Sequence, residues 1–213
     1  MSLAKNIPIT PSPFRDEPSI TMEIIFATHN KNKLKEVQSL VPANMHVISL
    51  DDLNMTTDIP ETGHTLADNA LIKARTIFEL YKKPVIADDT GLEVTVLNGA
   101  PGVYSARYAG EPSNAENNMT LLLENLEGKA DRSAHFKTVI AYINAEGKEQ
   151  LFEGRVDGEI ITERRGGEGF GYDPVFLPEG YTATFAEMPL EEKNQISHRA
   201  RALRAFSEFI NKA

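Results

Sequence analysis

Two carboxylates stand side by side in Ala87-Asp88-Asp89-Thr90-Gly91, after the apolar run Pro84-Val85-Ile86 and before a second strand-like run, Leu92 to Leu97. Consecutive strand residues point to opposite faces. Asp88 and Asp89 are therefore expected to do separate jobs, one facing a cleft and the other satisfying turn N–H groups before Gly91. Upstream, Ile59-Pro60-Glu61-Thr62-Gly63 carries another acid in a loop. Carboxylates from two loops meeting over a phosphate chain would suit Mg2+, a hard cation that takes one or two carboxylates together with phosphate oxygens. Asp68 belongs instead to a first helical turn, where acids are favoured. His64 and His135 read as loop and strand side chains, not as ligands.

Cations and an aromatic loop accompany these acids. Thr28-His29-Asn30-Lys31-Asn32-Lys33 lies between a strand and a helix. With Asn30 as N-cap, Lys31 and Lys33 fall in the first turn, where each opposes the helix dipole by roughly 0.3–1 kcal/mol. Backbone N–H groups at the same end attract anions. The segment is either a solvated lysine-rich turn or a phosphate site, and the Walker-type glycine–lysine spacing is absent. Ser197-His198-Arg199 repeats the pattern: with Ser197 as cap, two basic residues again enter a first turn. Arg199 precedes Leu203 by four residues and so starts on the buried face. Its guanidinium needs acceptors, supplied either by the chain's own acids or by a phosphate or base carbonyl. In Gly166 to Pro174 (GGEGFGYDP), glycines would let the backbone approach a flat ligand and Phe170 could stack on it. Such a loop is equally a turn around a core aromatic.

The elements that must position these groups follow from periodicity. Met22 to Ala27 is a buried-strand candidate, and Leu34, Val37 and Val41 mark one helical face after it. Met45 to Leu50 reads as a strand, and Thr65 to Tyr81 as a helix with Leu66, Ala70, Ala74, Ile77 and Leu80 near one stripe. Val85–Ala87 and Leu92–Leu97 are expected as separate strands flanking the acids. Ser113 or Asn114 caps a helix that carries Met119, Leu122 and Leu126 and stops at Gly128. Phe136–Asn144 and Gln150–Phe152 form a hairpin around Glu146-Gly147, continued by Val156 to Ile161. Pro189 opens a short helix, and Ser197 a last one with Leu203, Phe206 and Ile210 inward. Strands that first alternate with helices and then pair locally predict an α/β fold with a mixed sheet.

Bulk properties narrow the function. The 213 residues, 41% of them hydrophobic and 25% charged, are enough for one well-filled soluble domain. Residues 22–213 are expected to form that domain, and the proline-rich start, residues 1–21, a flexible leader outside it. The net charge of -9 argues against a surface that coats polymeric nucleic acid, although a local basic cluster still permits a small anionic ligand. No cysteine is present, so thiol chemistry is excluded and a cytoplasmic setting is permitted. No apolar run is long enough to span a bilayer.

In order along the chain, THNKNK, ETGHTLADNALIKA, ADDTGLEV, PGVYSARYAG, GFGYDPVF and AEMPLEEKNQISHRARAL resemble the motifs of the inosine-triphosphate pyrophosphatase family, from about Met22 onward. Several separate blocks in the right order are far more specific than any one of them. The resemblance implies an elongated α/β fold, its mixed β-sheet flanked by helices and two lobes set around a central substrate cleft, in a cytoplasmic homodimer. It also implies hydrolysis of ITP, dITP and XTP between the α- and β-phosphates, giving the monophosphate and pyrophosphate and cleansing the nucleotide pool, with Mg2+, or Mn2+ in its place. Carried over by resemblance, Glu61 and Asp89 are metal carboxylates, with Asp89 also accepting the proton of water. Thr28, Asn30 and Lys33 match a phosphate-binding motif, and His29, Lys31 and Asn32 belong to the same substrate-binding segment. Thr90, Phe170, Gly171, Tyr172 and Asp173 match substrate contacts. Lys193, His198 and Arg199 match a base-side cluster, in which Arg199 would donate to a 6-carbonyl. Mg2+ and Lys33 would compensate the charge of Asp89. A non-catalytic nucleotide sensor or a two-carboxylate glycosidase fits this set of motifs less well.

Overall fold

The structure, a computed structural model, describes residues 22–212; the expected leader, residues 1–21, lies outside the described residues. In chain order the elements are β1 (Met22–Phe26), α1 (Lys31–Leu40), β2 (Met45–Ser49), α2 (Leu66–Tyr81), β3 (Val85–Val94), β4 (Pro101–Gly102), α3 (Ala115–Asn125), β5 (Ser133–Ile143), β6 (Glu149–Ile160), β7 (Phe176–Pro178), α4 (Leu190–Ile196) and α5 (His198–Ile210). They form one mixed sheet in the order β2-β1-β3-β5-β6-β7, with β4 on β3. β1 runs parallel to β2 and β3, and the remaining pairs are antiparallel. This is the expected mixed α/β architecture. No described helix is long and apolar enough to cross a membrane.

Alternation along the strands assigns each helix to a face. Ile24, Phe26, Ile86, Ile140 and Tyr142 pack with Val37 of α1 and with Ala202, Leu203 and Phe206 of α5. Their neighbours Ile25, Val85, Ala87, Val139 and Ala141 pack with Leu66, Ala70, Ala74 and Ile77 of α2 on the opposite face. Beyond them a third cluster joins Leu92, Val94, Phe136, Phe176 and Phe185 to Met119 and Leu122 of α3. Burying Leu203 and Phe206 stabilises by roughly 1.5–3 kcal/mol each, which presses the first turn of α5 onto the sheet.

The helix starts are held by local chemistry. Asn30 Oδ1 accepts from the N–H groups of Asn32 and Lys33, Thr65 and Asp68 form a reciprocal capping box, and Ser197 Oγ accepts from Ala200 N–H.

Two strands depart from expectation. β3 does not break at the acids; it runs through them, because β5 pairs with it without interruption from Val85↔Ile143 to Val94↔Ala134. Its other edge is covered only in part. β1 reaches no further than Ile86, and β4 begins opposite Leu92, so the sheet has a seam beside Ala87–Gly91. Side chains stand in for the missing strand there: Thr90 N–H donates to Asp89 Oδ1 at 2.9 Å and Leu92 N–H to Ser105 Oγ at 2.9 Å. Thr95–Leu97, expected as strand, is a 3-10 turn. β6 is likewise one strand, not two pieces. Its apolar pattern breaks at Gly154, where a Cβ would collide with the His198 carbonyl of α5 and lie 2.5 Å from the Ala202 nitrogen.

Candidate functional site

A cavity of about 530 Å3 opens at the seam, a volume typical of small-molecule sites. It gathers Thr28, His29, Asn30, Asn32 and Lys33 from the end of β1 and the start of α1, Glu61 from the loop between β2 and α2, and Asp89 and Thr90 from β3. Phe170, Gly171, Tyr172 and Asp173 come from the aromatic loop, Lys193 from α4 and His198 from α5. Lys31 is exposed on α1 and does not line the cavity. Arg199 does not line it either.

On the face toward α1 and α5, buried charges alternate in sign. Lys33 Nζ lies 3.0 Å from Asp88 Oδ1, and Asp88 Oδ2 accepts from Arg199 Nε at 3.0 Å. Arg199 also donates to Glu36 through Nη1 and to Thr90 Oγ1 through Nη2. Glu36 accepts from Lys193 Nζ at 2.8 Å, and Lys193 reaches Asp173 at 2.7 Å. Burial alone would raise Asp88, but Lys33 and Arg199 outweigh it and hold the group far below the usual carboxylate range. Glu36 is lowered in the same way, with Arg199 and Lys193 overcoming burial. Burial keeps Lys33 below its ordinary range against the pull of Asp88. Asp173 is raised, because burial outweighs Lys193 there. Three cations and three carboxylates thus balance inside the wall of the site.

Lys33 and Arg199 both meet acids of the chain itself. Lys33 bonds Asp88 directly and acts on Asp89 from further away. The guanidinium of Arg199, expected to meet a base carbonyl, is turned to Asp88, Glu36 and Thr90 instead, because those acceptors surround it in a fully buried position. The other job foreseen in the acidic pair also changes: Asp88 holds two cations and does not bond turn N–H groups.

Asp89 faces α2. Its Oδ2 accepts from Asn69 Nδ2 at 3.1 Å, and Lys73 Nζ stands 3.8 Å from its Oδ1 and 2.5 Å from Glu61 Oε1. Arg107 lies 3.8 Å from Glu61 Oε2. Burial raises the affinity of Asp89 for a proton, against the opposing charges of Lys73 and Lys33. Asp89, Glu61 and Asp88 overcome burial at Lys73 and hold its pKa above the ordinary lysine value. Glu61 and Asp89 are the pair able to hold a hard cation, and the Lys73 ammonium occupies the place between them where positive charge is favoured. Among the described residues no group of three or more His, Cys, Asp or Glu closes on one point. An ion held by this pair would take its other ligands from phosphate oxygens and water, the habit of Mg2+.

The other end of the cavity is aromatic. Phe170 has Lys193 Nζ 5.0 Å and the Arg199 guanidinium 5.7 Å from its ring centre, within cation–π range. His198 stacks on Phe136 at 4.6 Å. Burial, Arg199 and Lys193 depress its pKa well below the ordinary value, and its Nδ1 is buried without a partner. Tyr172 Oη donates to the Ser105 carbonyl at 2.8 Å, tying the aromatic loop to the 3-10 turn that follows β4.

Comparison with known proteins agrees with this arrangement. The Ham1 family model matches residues 24–209. The chain belongs to the Ham1 family. A relative from Christiangramia forsetii, named a dITP/XTP pyrophosphatase, is 53% identical over 191 residues that cover 90% of this chain and 100% of its own. A second of the same name, from Thermoanaerobacter pseudethanolicus, is 50% identical, covering 90% of this chain and 98% of its own. The solved Ham1 protein of Staphylococcus aureus superposes with a TM-score of 0.81 at 40% identity, covering 89% of this chain and 98% of that one. That of Coxiella burnetii gives 0.82 at 41% identity, over 90% and 100%.

Three polar residues of this Ham1 chain receive no role from motif reading: Asn69 and Lys73 on α2, although both lie within ETGHTLADNALIKA, and Glu36 on α1. A signal existed for the first two. Leu66, Asn69, Ala70, Lys73, Ala74 and Ile77 are all buried along one stripe of α2, so an amide and an ammonium interrupt an apolar face. A buried lysine requires a charged partner. Glu36, beside buried Val37, carried the same warning.

Proposed function

We propose that this chain hydrolyses dITP, ITP and XTP to the nucleoside monophosphate and pyrophosphate and so removes non-standard purine nucleotides from the pool. The observation that carries the reading is the polarity of the cavity. Glu61 and Asp89 meet beside Lys73 and Lys33 at one end, which suits a polyphosphate, and Phe170, Lys193 and His198 frame the other, which suits a purine. The names of the relatives support the same substrates.

Asp89 holds a water in line with the α-phosphorus and accepts its proton as the new P–O bond forms and the bond to the β-phosphate oxygen breaks. Lys33 and Lys73 donate to phosphate oxygens and stabilise the charge that collects on the departing pyrophosphate. Glu61 and Asp89 would hold Mg2+, which when bound supplies charge neutralisation at the phosphates. At the base end a 6-carbonyl offers an acceptor to His198 and Lys193, the polar groups that line the cavity beside Phe170, whereas adenine offers a donor. Leaving buried donors unpaired discriminates by a factor on the order of 10⁴. Arg199 serves this end from behind, by fixing Thr90. The enzyme works as a cytoplasmic homodimer, which sedimentation of the purified protein would check.

Incubation with Mg2+ and, separately, ITP, dITP, XTP, ATP and GTP tests the reading. Pyrophosphate is expected from the first three, with far less from ATP. Release of orthophosphate alone, or of nothing, from ITP would refute it.

A further inference from the structure

Asn69 is fully buried on α2 and touches both segments that bring acids into the cavity. Its Oδ1 accepts from Gly63 N–H at 2.7 Å, in the loop that carries Glu61, and its Nδ2 donates to Asp89 Oδ2 at 3.1 Å. We infer that Asn69 is a positioning residue that sets the separation and orientation of the Glu61 and Asp89 carboxylates. The inference rests on the proposed reading of those two acids as a cation-holding pair.

The chemistry of the amide is what the place demands. One planar group supplies an acceptor on one side and a donor on the other. An aspartate would still accept from Gly63 but would set a carboxylate against Asp89. An alanine would leave both bonds unmade. The loop is pressed onto this amide, since a Cβ on Gly63 would lie 2.7 Å from Asn69 Oδ1 and 2.5 Å from the Asp68 Cβ. With Oδ2 held by Asn69 and Oδ1 beside its neighbour's N–H and Lys73, the Asp89 carboxylate plane has one setting. Lys73 also bridges the two acids, but through a flexible ammonium that a phosphate would attract. Asn69 does not line the cavity and so acts through the acids, not on substrate.

The test compares Asn69→Ala, Asn69→Asp and Gly63→Ala with the parent enzyme, the last acting from the loop side should the first two fold poorly. Mn2+ alone is titrated and followed by electron paramagnetic resonance, and kcat and KM for ITP are measured separately. Outer partners of metal-holding groups are typically worth about 10- to 100-fold in affinity or activity. All variants that fold are expected to weaken Mn2+ binding and lower kcat by that factor while KM moves less than about threefold, and Asn69→Asp should lose as much as Asn69→Ala although it keeps the bond to Gly63. Unchanged Mn2+ affinity and kcat in Asn69→Ala or Gly63→Ala would overturn the assignment, as would a rise in KM alone. If the parent releases no pyrophosphate, the proposed activity fails, while the Mn2+ titration still decides the role of Asn69.

Discussion

Glu36→Gln is a direct probe of the alternating charges in the wall of the site. Glu36 and Lys193 are 5% and 3% exposed at the side chain, so their pairing is little screened by solvent. The glutamine keeps the shape and one acceptor but removes the negative charge shared by Lys193 and Arg199. Breaking a buried pair by removing one partner costs about 3–5 kcal/mol. Here each cation retains a second carboxylate, Asp173 for Lys193 and Asp88 for Arg199, which argues for the lower end, about 3 kcal/mol. For a domain of this size each kcal/mol moves Tm by roughly 2–4 °C, so the variant should melt about 6–12 °C below the parent. Glu23→Gln is the matched control. Its pair with Lys83 is 53% and 52% exposed, and such surface pairs are worth about 0–1 kcal/mol. Thermal unfolding by circular dichroism reads both. If Glu36→Gln melts within about 2 °C of Glu23→Gln, the row of charges is not holding the structure and the reasoning is wrong.

Other expectations follow from the same geometry. Gly154→Ala forces a methyl group into α5 and should cost about 1–3 kcal/mol of overpacking, seen as a lower urea midpoint with unchanged slope. Lys73→Met should lower kcat for pyrophosphate release from ITP by about 10²-fold or more; a loss under threefold would remove Lys73 from the phosphate end. His198 has a folded pKa below its unfolded value of about 6.5, so the unfolded chain binds the extra proton first. Its contribution is intact above that pH and is lost as pH falls, by up to about 1.4 kcal/mol per unit until the folded pKa is reached. Stability measured from pH 7 to pH 5 should therefore slope less in His198→Asn than in the parent, and equal slopes would contradict the burial argument.

What was legible in the sequence divides by the range of the interactions. Asn30 and Ser197 mark their helices correctly because a cap bonds residues two or three positions away. The continuity of β3 was not legible. It depends on β5, whose Ile140 pairs with Asp88 across the sheet, and no local pattern announces that ladder. The gap at Gly154 misled for a similar reason, since the glycine answers to a helix that arrives later in the chain. Motif reading brought most cavity residues together, but motifs far apart in the chain do not say which acid each cation bonds. Lys33 bonds Asp88 because the strand pleat turns that acid toward α1. Lys73 was overlooked because a helical stripe is counted by its apolar members.

The seam in the sheet and the buried aspartate beside it also bear on how the molecule comes together. Asp88 meets Arg199 across 111 residues of chain, so a polypeptide emerging from its N-terminus holds that acid long before its guanidinium exists. Without α5 in place, Asp88 lacks its guanidinium partner and the wall of the cavity lacks one of its three cations. The last helix, seated over Gly154, thus supplies the charge that makes the wall of the cavity neutral.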